Sequence, residues 1–324
     1  FDWGRTFYGW RAARSNVEAQ RATVDSSRLQ VALDVKLAFF GLLAAEAQQR
    51  VAGEAVATQQ RHVEQARAFL EVGTRTRIDV ASAESEEANA ELTLARARGA
   101  VESARAALSA ALGEDEWHDY TLEPPPEPDS TAPPAQDEPA LFAESLRARP
   151  ETRDLALRAR SLDDTARSLR GSYLPSLQLQ LGPSWAGSDL GSLTTNVTIT
   201  VGLSYPLSGM NPLLVHGQVR EAEANRRQLL EQERALKNSL RLETAQARAA
   251  LESAHEEVLA AAKLLEASRD RRDLAEGRYQ AGVGSIIELD DAQLAFVNAQ
   301  FQQISAALDV ATARARLDHA LGRI

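Results

Sequence analysis

The side chains that most often carry out catalysis are sparse in this sequence. Its 324 residues include no cysteine, and its five histidines, at positions 62, 118, 216, 255 and 319, are never one helical turn apart. Thiol chemistry and thiolate zinc sites are therefore excluded within this sequence, and no metal-ligand motif is visible. Gly282 and Gly284 lack the lysine that follows the glycines of a phosphate-binding loop. We expect no catalytic residue, no metal, no cofactor and no enzymatic activity.

One pair of acidic residues has the spacing of a shared helix face. Glu288 and Asp291 are three positions apart, which places both carboxylates on one face of a helix. Negative side chains at such positions can stabilise the first turn of a helix.

The composition restricts the partners of the chain. The 36 basic residues are outnumbered by 46 acidic ones, which gives a net charge of −10. No general basic surface is therefore available for a nucleic acid backbone, and we expect no nucleic-acid partner. The longest strongly apolar run, Leu37 to Ala45, is about half of the roughly 20 residues that a membrane-spanning helix needs.

The sequence repeats itself after 209 positions. The register holds without a gap over roughly 100 residues, which is the signature of two related structural units. Similarity between two alanine-rich helices by composition alone is the alternative. The aligned positions include Gly73 with Gly282, Ile78 with Ile287, and Ala111 to Gly113 with Ala320 to Gly322.

Each repeat predicts a long antiparallel helical hairpin. The stretches from Trp10 to Glu71 and from Val219 to Gln280 are rich in strong helix formers and contain no proline. About 60 residues at 1.5 Å per residue make a helix of about 90 Å, which needs a packing partner. Breaks that contain glycine follow at residues 72–77 and 281–286, where each helix can end and the chain can reverse.

The segment between the repeats changes character twice. Residues 114–140 are rich in proline and acid, which predicts an extended surface segment, with a flexible linker as the simpler interpretation. Residues 141–171 return to a helical pattern, in which Pro150 occupies a place suited to a helix start.

Residues 172–209 predict a β-hairpin, because Leu177 to Leu181 and Val197 to Tyr205 alternate between apolar and uncharged polar side chains. Such a strand is long enough to span a membrane with its apolar face towards lipid and its polar face towards a lumen. A hairpin packed on a soluble core is the alternative, but two strands alone leave open edges that must join other strands. We expect lipid to contact Val197, Ile199, Val201, Leu203 and Tyr205, and the lumen to contact Thr198, Thr200 and Ser204.

Four features together resemble the TolC-like outer-membrane efflux proteins of Gram-negative bacteria. These are the repeat, the helix turns VGTRTRIDVASAE and AGVGSIIELDDAQ, the passage LRARPETRDLALRARSLDDTARSLRGSYLPSLQLQLG and the ALG endings. The resemblance covers essentially the whole chain. It implies a mainly α fold with a small β part, in which long helical hairpins form a trimeric α-barrel continued by a transmembrane β-barrel. The implied segments are the first repeat (1–113), the equatorial segment (114–140), a helix (141–171), the transmembrane hairpin (172–209) and the second repeat (210–324).

The resemblance also implies a function and partners. The chain would be the exit duct of a tripartite efflux or type I secretion system, located in the outer membrane with a long periplasmic extension. Its implied partners are two further copies of itself, a periplasmic adaptor, an inner-membrane pump and outer-membrane lipid. A coiled-coil periplasmic adaptor or scaffold is the alternative, which explains the hairpins but not the uncharged amphipathic strands. A complete first repeat would need about 95 residues ahead of Phe1, so we expect the chain to be partial.

The resemblance finally implies a periplasmic gate at the two helix turns. In the family, acidic residues, an arginine and a tyrosine close this tip, and threefold symmetry would gather the acids around the channel axis, where they would favour cations. The alternative is that Glu288 and Asp291 simply start the second helix. Asp79, Tyr279, Glu288 and Asp291 match the family's acidic and tyrosine positions, and Gly282 lies in the second turn. Gly284 stands where some relatives carry the arginine, whereas Arg75 holds the equivalent position of the first repeat, so the bonding network stays open.

Overall fold

A computed structural model describes residues 1–114, 120–123, 137–186, 194–205 and 212–323. Within these ranges no helix combines the length and the apolarity that crossing a membrane requires. The elements in chain order are α1 (Arg5–Glu71), α2 (Arg77–Leu112), α3 (Glu138–Ala148), α4 (Pro150–Gly171), β1 (Ser176–Ala186), β2 (Thr194–Ser204), α5 (Pro212–Gln280) and α6 (Ile286–Ala320).

The two long hairpins are α1 with α2 and α5 with α6. Each long helix ends at the predicted break, which leaves a first turn of residues 72–76 and a second turn of residues 281–285. Gly73 and Gly282 adopt φ values of 74° and 77°, a left-handed conformation that glycine reaches without a Cβ clash. The same backbone bond closes both turns, because residues 74 and 283 donate to the carbonyls of residues 69 and 278 at 3.0 Å. The two turns are therefore structural equivalents 209 positions apart.

The segment before the strands contains two helices instead of one continuous helix. Pro150 has no N–H to donate and its ring fixes φ, so α3 stops at Ala148 and α4 starts with the proline. Arg149 between them has an extended backbone. Of the proline- and acid-rich segment, residues 115–119 and 124–136 lie outside the described residues.

The strands β1 and β2 form an antiparallel hairpin, in which the register places aliphatic residues opposite aliphatic ones and polar residues opposite polar ones. Leu179 lies opposite Val201 and Leu181 lies opposite Ile199, whereas Gln180 lies opposite Thr200. Because side chains alternate across a strand, the aliphatic residues share one face and the polar residues share the other. Residues 187–193, between the strands, and residues 206–211 lie outside the described residues.

The chain divides into two compact units, and their boundaries fall within α1, α3 and α5. The first unit consists of residues 1–27 and 146–241, and the second of residues 28–145 and 242–324. In the first unit α4 packs against α1, where the hydroxyl of Ser161 donates to the carbonyl of Ala12 at 3.0 Å. Arg11 also pairs there with the buried carboxylate of Asp164 at 3.1 Å. The second unit contains the helix turns and several alanine-rich apolar clusters.

Candidate functional site at the helix turns

An apolar cluster in the second unit brings the two helix turns together. We call it the tip cluster, and all four hairpin helices contribute to it. Four of its residues are alanines, whose small side chains allow helices to approach closely. The members are Val63, Ala66, Val80, Ala83, Ala275, Tyr279, Ile286, Leu289 and Ala292, with Phe69 packed against them.

Arg75 of the first turn binds the second turn directly. Its Nη2 donates to the carbonyl oxygen of Gly284 at 2.6 Å and to that of Tyr279 at 3.4 Å. The guanidinium carbon also lies 4.8 Å from the centre of the Tyr279 ring, which is within the range of a cation–π interaction. Arg75 and Gly284 are equivalent positions of the repeat, so one turn supplies the cation that binds the other turn.

Tyr279 is the central side chain of the tip cluster. It is fully buried, and its ring lies 5.8 Å from that of Phe69. Its hydroxyl has no hydrogen-bond partner among the described residues. Burial raises the pKa of Tyr279, and the charges of Asp79 and Asp290 act in the same direction, whereas the Arg75 charge lowers it.

Gly284 occupies a position that has no space for a side chain. A Cβ there would lie 2.9 Å from the backbone nitrogen of Tyr279 and 3.0 Å from the carbonyl carbon of Arg278. Any larger residue, including an arginine, would force the backbone of the second turn to move. The restriction explains why the cation of this site comes from Arg75.

The predicted acidic residues of the gate are not gathered around Arg75. Asp79 accepts hydrogen bonds from the backbone N–H and the hydroxyl of Thr76, at 2.9 and 3.0 Å, and so caps α2. Glu288 lies in the first turn of α6 and pairs with Arg278 at 3.2 Å. Asp291 is exposed. Asp79 and Glu288 thus lie in the first turns of α2 and α6, and Glu288 also has a cation beside it.

Asp290 belongs to this site although the sequence patterns did not single it out. Burial raises its pKa to about 7, with further contributions from Glu86 and Asp291. Its Oδ1 is buried without a hydrogen-bond partner among the described residues. A signal existed, because Asp290 falls four positions after Ile286 and next to Leu289, on the apolar stripe of α6.

The strand residues singled out from the sequence divide between the two faces of the hairpin. Val197, Ile199, Val201 and Leu203 share the exposed aliphatic face of β2, and Tyr205 follows one residue after the strand. The opposite face carries the remaining predicted residues, Thr198, Thr200 and Ser204. Among the described residues, no group of His, Asp and Glu side chains is arranged to hold a metal ion.

The sequence matches the outer membrane efflux protein family over residues 1–114 and 141–323. The chain belongs to this family. The unmatched stretch between the two ranges coincides with most of the proline- and acid-rich segment. No curated protein sequence matches the chain.

Solved structures with the same fold include outer-membrane channels. A membrane protein from Pseudomonas aeruginosa is 18% identical, with a TM-score of 0.86 over 99% of this chain and 72% of that one. The MtrE outer membrane channel of Neisseria gonorrhoeae in its open state is 22% identical, with a TM-score of 0.82 over 99% of this chain and 72% of that one. The outer membrane protein VceC from Vibrio cholerae is 19% identical, with a TM-score of 0.79 over 100% of this chain and 77% of that one. At these identities the likeness concerns the fold.

Family membership confirms several predictions made from the sequence. This outer membrane efflux protein is a passive outer-membrane channel, not an enzyme, and its fold is mainly helical with a small antiparallel sheet. The family also implies partnership with a periplasmic adaptor and an inner-membrane pump. The alternative of a coiled-coil adaptor or scaffold does not fit this membership.

Proposed function

We propose that the chain is one subunit of a homotrimeric efflux duct whose periplasmic gate is formed by the two helix turns. The observation that carries the proposal is the 2.6 Å bond from Arg75 to the carbonyl of Gly284. This bond joins the α1–α2 hairpin to the α5–α6 hairpin at their turns. Opening the gate requires the hairpins to separate, which breaks this bond and exposes part of the tip cluster.

The chemistry of the Arg75 bond suits a gate that opens reversibly. Tyr279 lies in the last turn of α5, where carbonyl groups carry partial negative charge. Its carbonyl also accepts the N–H of Gly282 at 3.0 Å. A hydrogen bond that involves a charged group contributes about 1.5 to 3 kcal/mol. Water can replace Arg75 at these carbonyls once the turn is exposed. The closed state is thus held by a contact of moderate strength in each subunit.

The acidic residues of α6 would set the ion preference of the duct. Threefold symmetry would place three copies of Glu288 and Asp291 around the axis, where carboxylates attract cations and repel anions. Because Arg278 offsets the charge of Glu288, the exposed Asp291 would contribute more to the preference.

The β-hairpin would place its aliphatic face against lipid and its polar face towards the lumen. Leu179 and Leu203 are 72% and 73% exposed in the isolated chain, which is unfavourable in water and favourable in a bilayer. Both edges of a two-stranded hairpin need neighbouring strands, and other subunits would supply them.

The adaptor would dock at the helix turns. Large apolar side chains are exposed there, which is typical of protein interaction surfaces. They are Val72, Ile78, Leu274, Val283 and Ile287.

Replacing Arg75 tests the proposed gate. We expect Arg75→Ala to raise the conductance of the closed channel several-fold in planar bilayers, because the turns lose both the hydrogen bond and the cation–π contact. Arg77→Ala is the matched control, since Arg77 is an exposed arginine two positions away at the start of α2. A channel with Arg75→Ala that conducts like the unmodified protein contradicts the proposal.

A further inference from the structure

Asp290 lies at the contact between α2 and α6. The two helices contact each other in the second unit. Leu289 directly before Asp290 and Ala292 two residues after it belong to the tip cluster, together with Val80 and Ala83 of α2. Leu289 and Ala292 are fully buried. The Oδ1 atom of Asp290 is inaccessible to water and has no donor within reach among the described residues. Asp290 as a whole is half-buried, but its Oδ1 has lost hydration without gaining a hydrogen bond, which disfavours the charged form of the carboxyl.

Neighbouring negative charges further disfavour the charged form of Asp290. Glu86 of α2 and Asp291 of α6 both present negative charge to it. From α5, Tyr279 brings a neutral hydroxyl that also lacks a partner among the described residues. Arg75 is the nearby cation, and its hydrogen bonds go to the carbonyls of the second turn. The carboxylate of Asp290 therefore meets like charge from the facing helix and from its own helix.

We propose that Asp290 is a proton-operated switch of the contact between α2 and α6. With a neutral carboxyl the two helices pack, and with a charged carboxylate repulsion from Glu86 and the need for water drive them apart. The effect of this switch on conduction rests on the proposed function, because α2 and α6 begin at the turns that form the proposed gate. The switch itself is a property of the helix contact.

The direction of the pH dependence follows from proton linkage. In the packed state the pKa of Asp290 is about 7, against 3.8 for an ordinary aspartate. The packed state therefore binds the proton more tightly than a separated state in which water reaches the carboxylate. Its advantage is complete below the ordinary pKa and is lost progressively as the pH rises through about 7. Acid closes the contact, and mild alkali loosens it.

A distance measurement tests the switch directly. Because the sequence has no cysteine, Ser85→Cys and Leu294→Cys provide two unique labelling sites, exposed on α2 and α6. Nitroxide labels on one chain, in channels otherwise assembled from unlabelled chains, report the intrachain distance by pulsed EPR. We expect a longer and broader distance at pH 8 than at pH 5. With Asp290→Asn the distance should keep its pH 5 value at both pH values.

Two further variants keep the test decisive. Asp309→Asn is the matched control, since Asp309 is an exposed aspartate on the same helix, and it should retain the full pH response. Glu86→Gln should move the midpoint of the response to lower pH, because it removes one source of repulsion. A distance independent of pH in the unmodified chain, or an unchanged response with Asp290→Asn or Glu86→Gln, overturns the proposal.

Conductance separates this proposal from the function on which it rests. If the turns form the gate, conductance should rise from pH 5 to pH 8, and Asp290→Asn should abolish the rise. A pH-dependent distance without any change in conductance contradicts the gate and leaves the switch intact. A pH-dependent conductance that persists with Asp290→Asn contradicts the switch and leaves the gate intact.

Discussion

Acidic residues at the starts of α2 and α6 differ in what they contact. Asp79 caps a helix, Glu288 pairs with Arg278, Asp290 is half-buried with an Oδ1 that has no hydrogen-bond partner among the described residues, and Asp291 is exposed. Their side-chain chemistry is nearly the same. Their different environments follow from which side of the helix each carboxylate leaves, because one residue corresponds to a rotation of about 100°. The effect of each carboxylate at the tip therefore depends on its own contacts.

Ion preference is the property that the exposed acids of α6 should control. We expect Glu288→Gln combined with Asp291→Asn to lower cation selectivity in single-channel recordings, because it removes negative charge from the proposed pore entrance. Glu231→Gln is the control, since Glu231 is an exposed acid on α5 that pairs with Arg234, and it should have little effect. Unchanged selectivity in the double variant would leave these acids with a role in starting α6 only.

The local elements could be predicted from the sequence, but the contacts between the hairpins could not. Helix ends at residues 71 and 280 follow from the glycine-containing breaks, and the strands follow from their alternating pattern. Arg75 binds backbone carbonyls of residues more than 200 positions away. Every residue has a carbonyl, so the sequence contains no signal for this pairing. Asp290 could have been noticed as a charge on an apolar stripe.

Strand register is the property of the hairpin that most strongly defines its two faces. The register aligns Leu177, Leu179 and Leu181 with Leu203, Val201 and Ile199. A slip of one residue in β2 would move every one of its aliphatic side chains to the polar face. Over residues 177–181 and 199–203, one face is aliphatic and the other is uncharged, which is the pattern expected of a strand between lipid and water.

Arginine scanning of adjacent strand positions tests this assignment. Ile199→Arg should destabilise the folded protein in a bilayer by about 2 to 4 kcal/mol, because it places a charge in hydrocarbon at mid-membrane. Thr200→Arg is the matched control on the opposite face, and it should fold normally and mainly change conductance. The measurement is equilibrium unfolding in lipid vesicles together with bilayer recordings. Equal destabilisation by the two variants would contradict the assignment of faces.

At the scale of the whole molecule, equivalent positions of the two repeats differ in their solvent exposure. Trp10 and Val219 are 209 positions apart, yet Trp10 is 55% exposed and Val219 only 7% exposed. Exposed apolar side chains continue along α1 from Trp10 to Val31 at intervals of seven residues. A spacing of seven is typical of a helix that packs along another helix. The exposed stripe on α1 therefore indicates a surface that is covered in the assembled channel.

The oligomeric state of the chain follows from these uncovered surfaces. We expect native mass spectrometry of the protein extracted from outer membranes in mild detergent to find three copies of the chain. Three chains with two equivalent hairpins each would give six similar hairpins in one closed barrel, and closure leaves no strand edge and no apolar helix face uncovered. The trimer should persist on dilution and should dissociate only as the chains unfold. A stable folded monomer would contradict the prediction, because such a chain would have to keep the aliphatic face of its β-hairpin and the apolar stripe on α1 exposed.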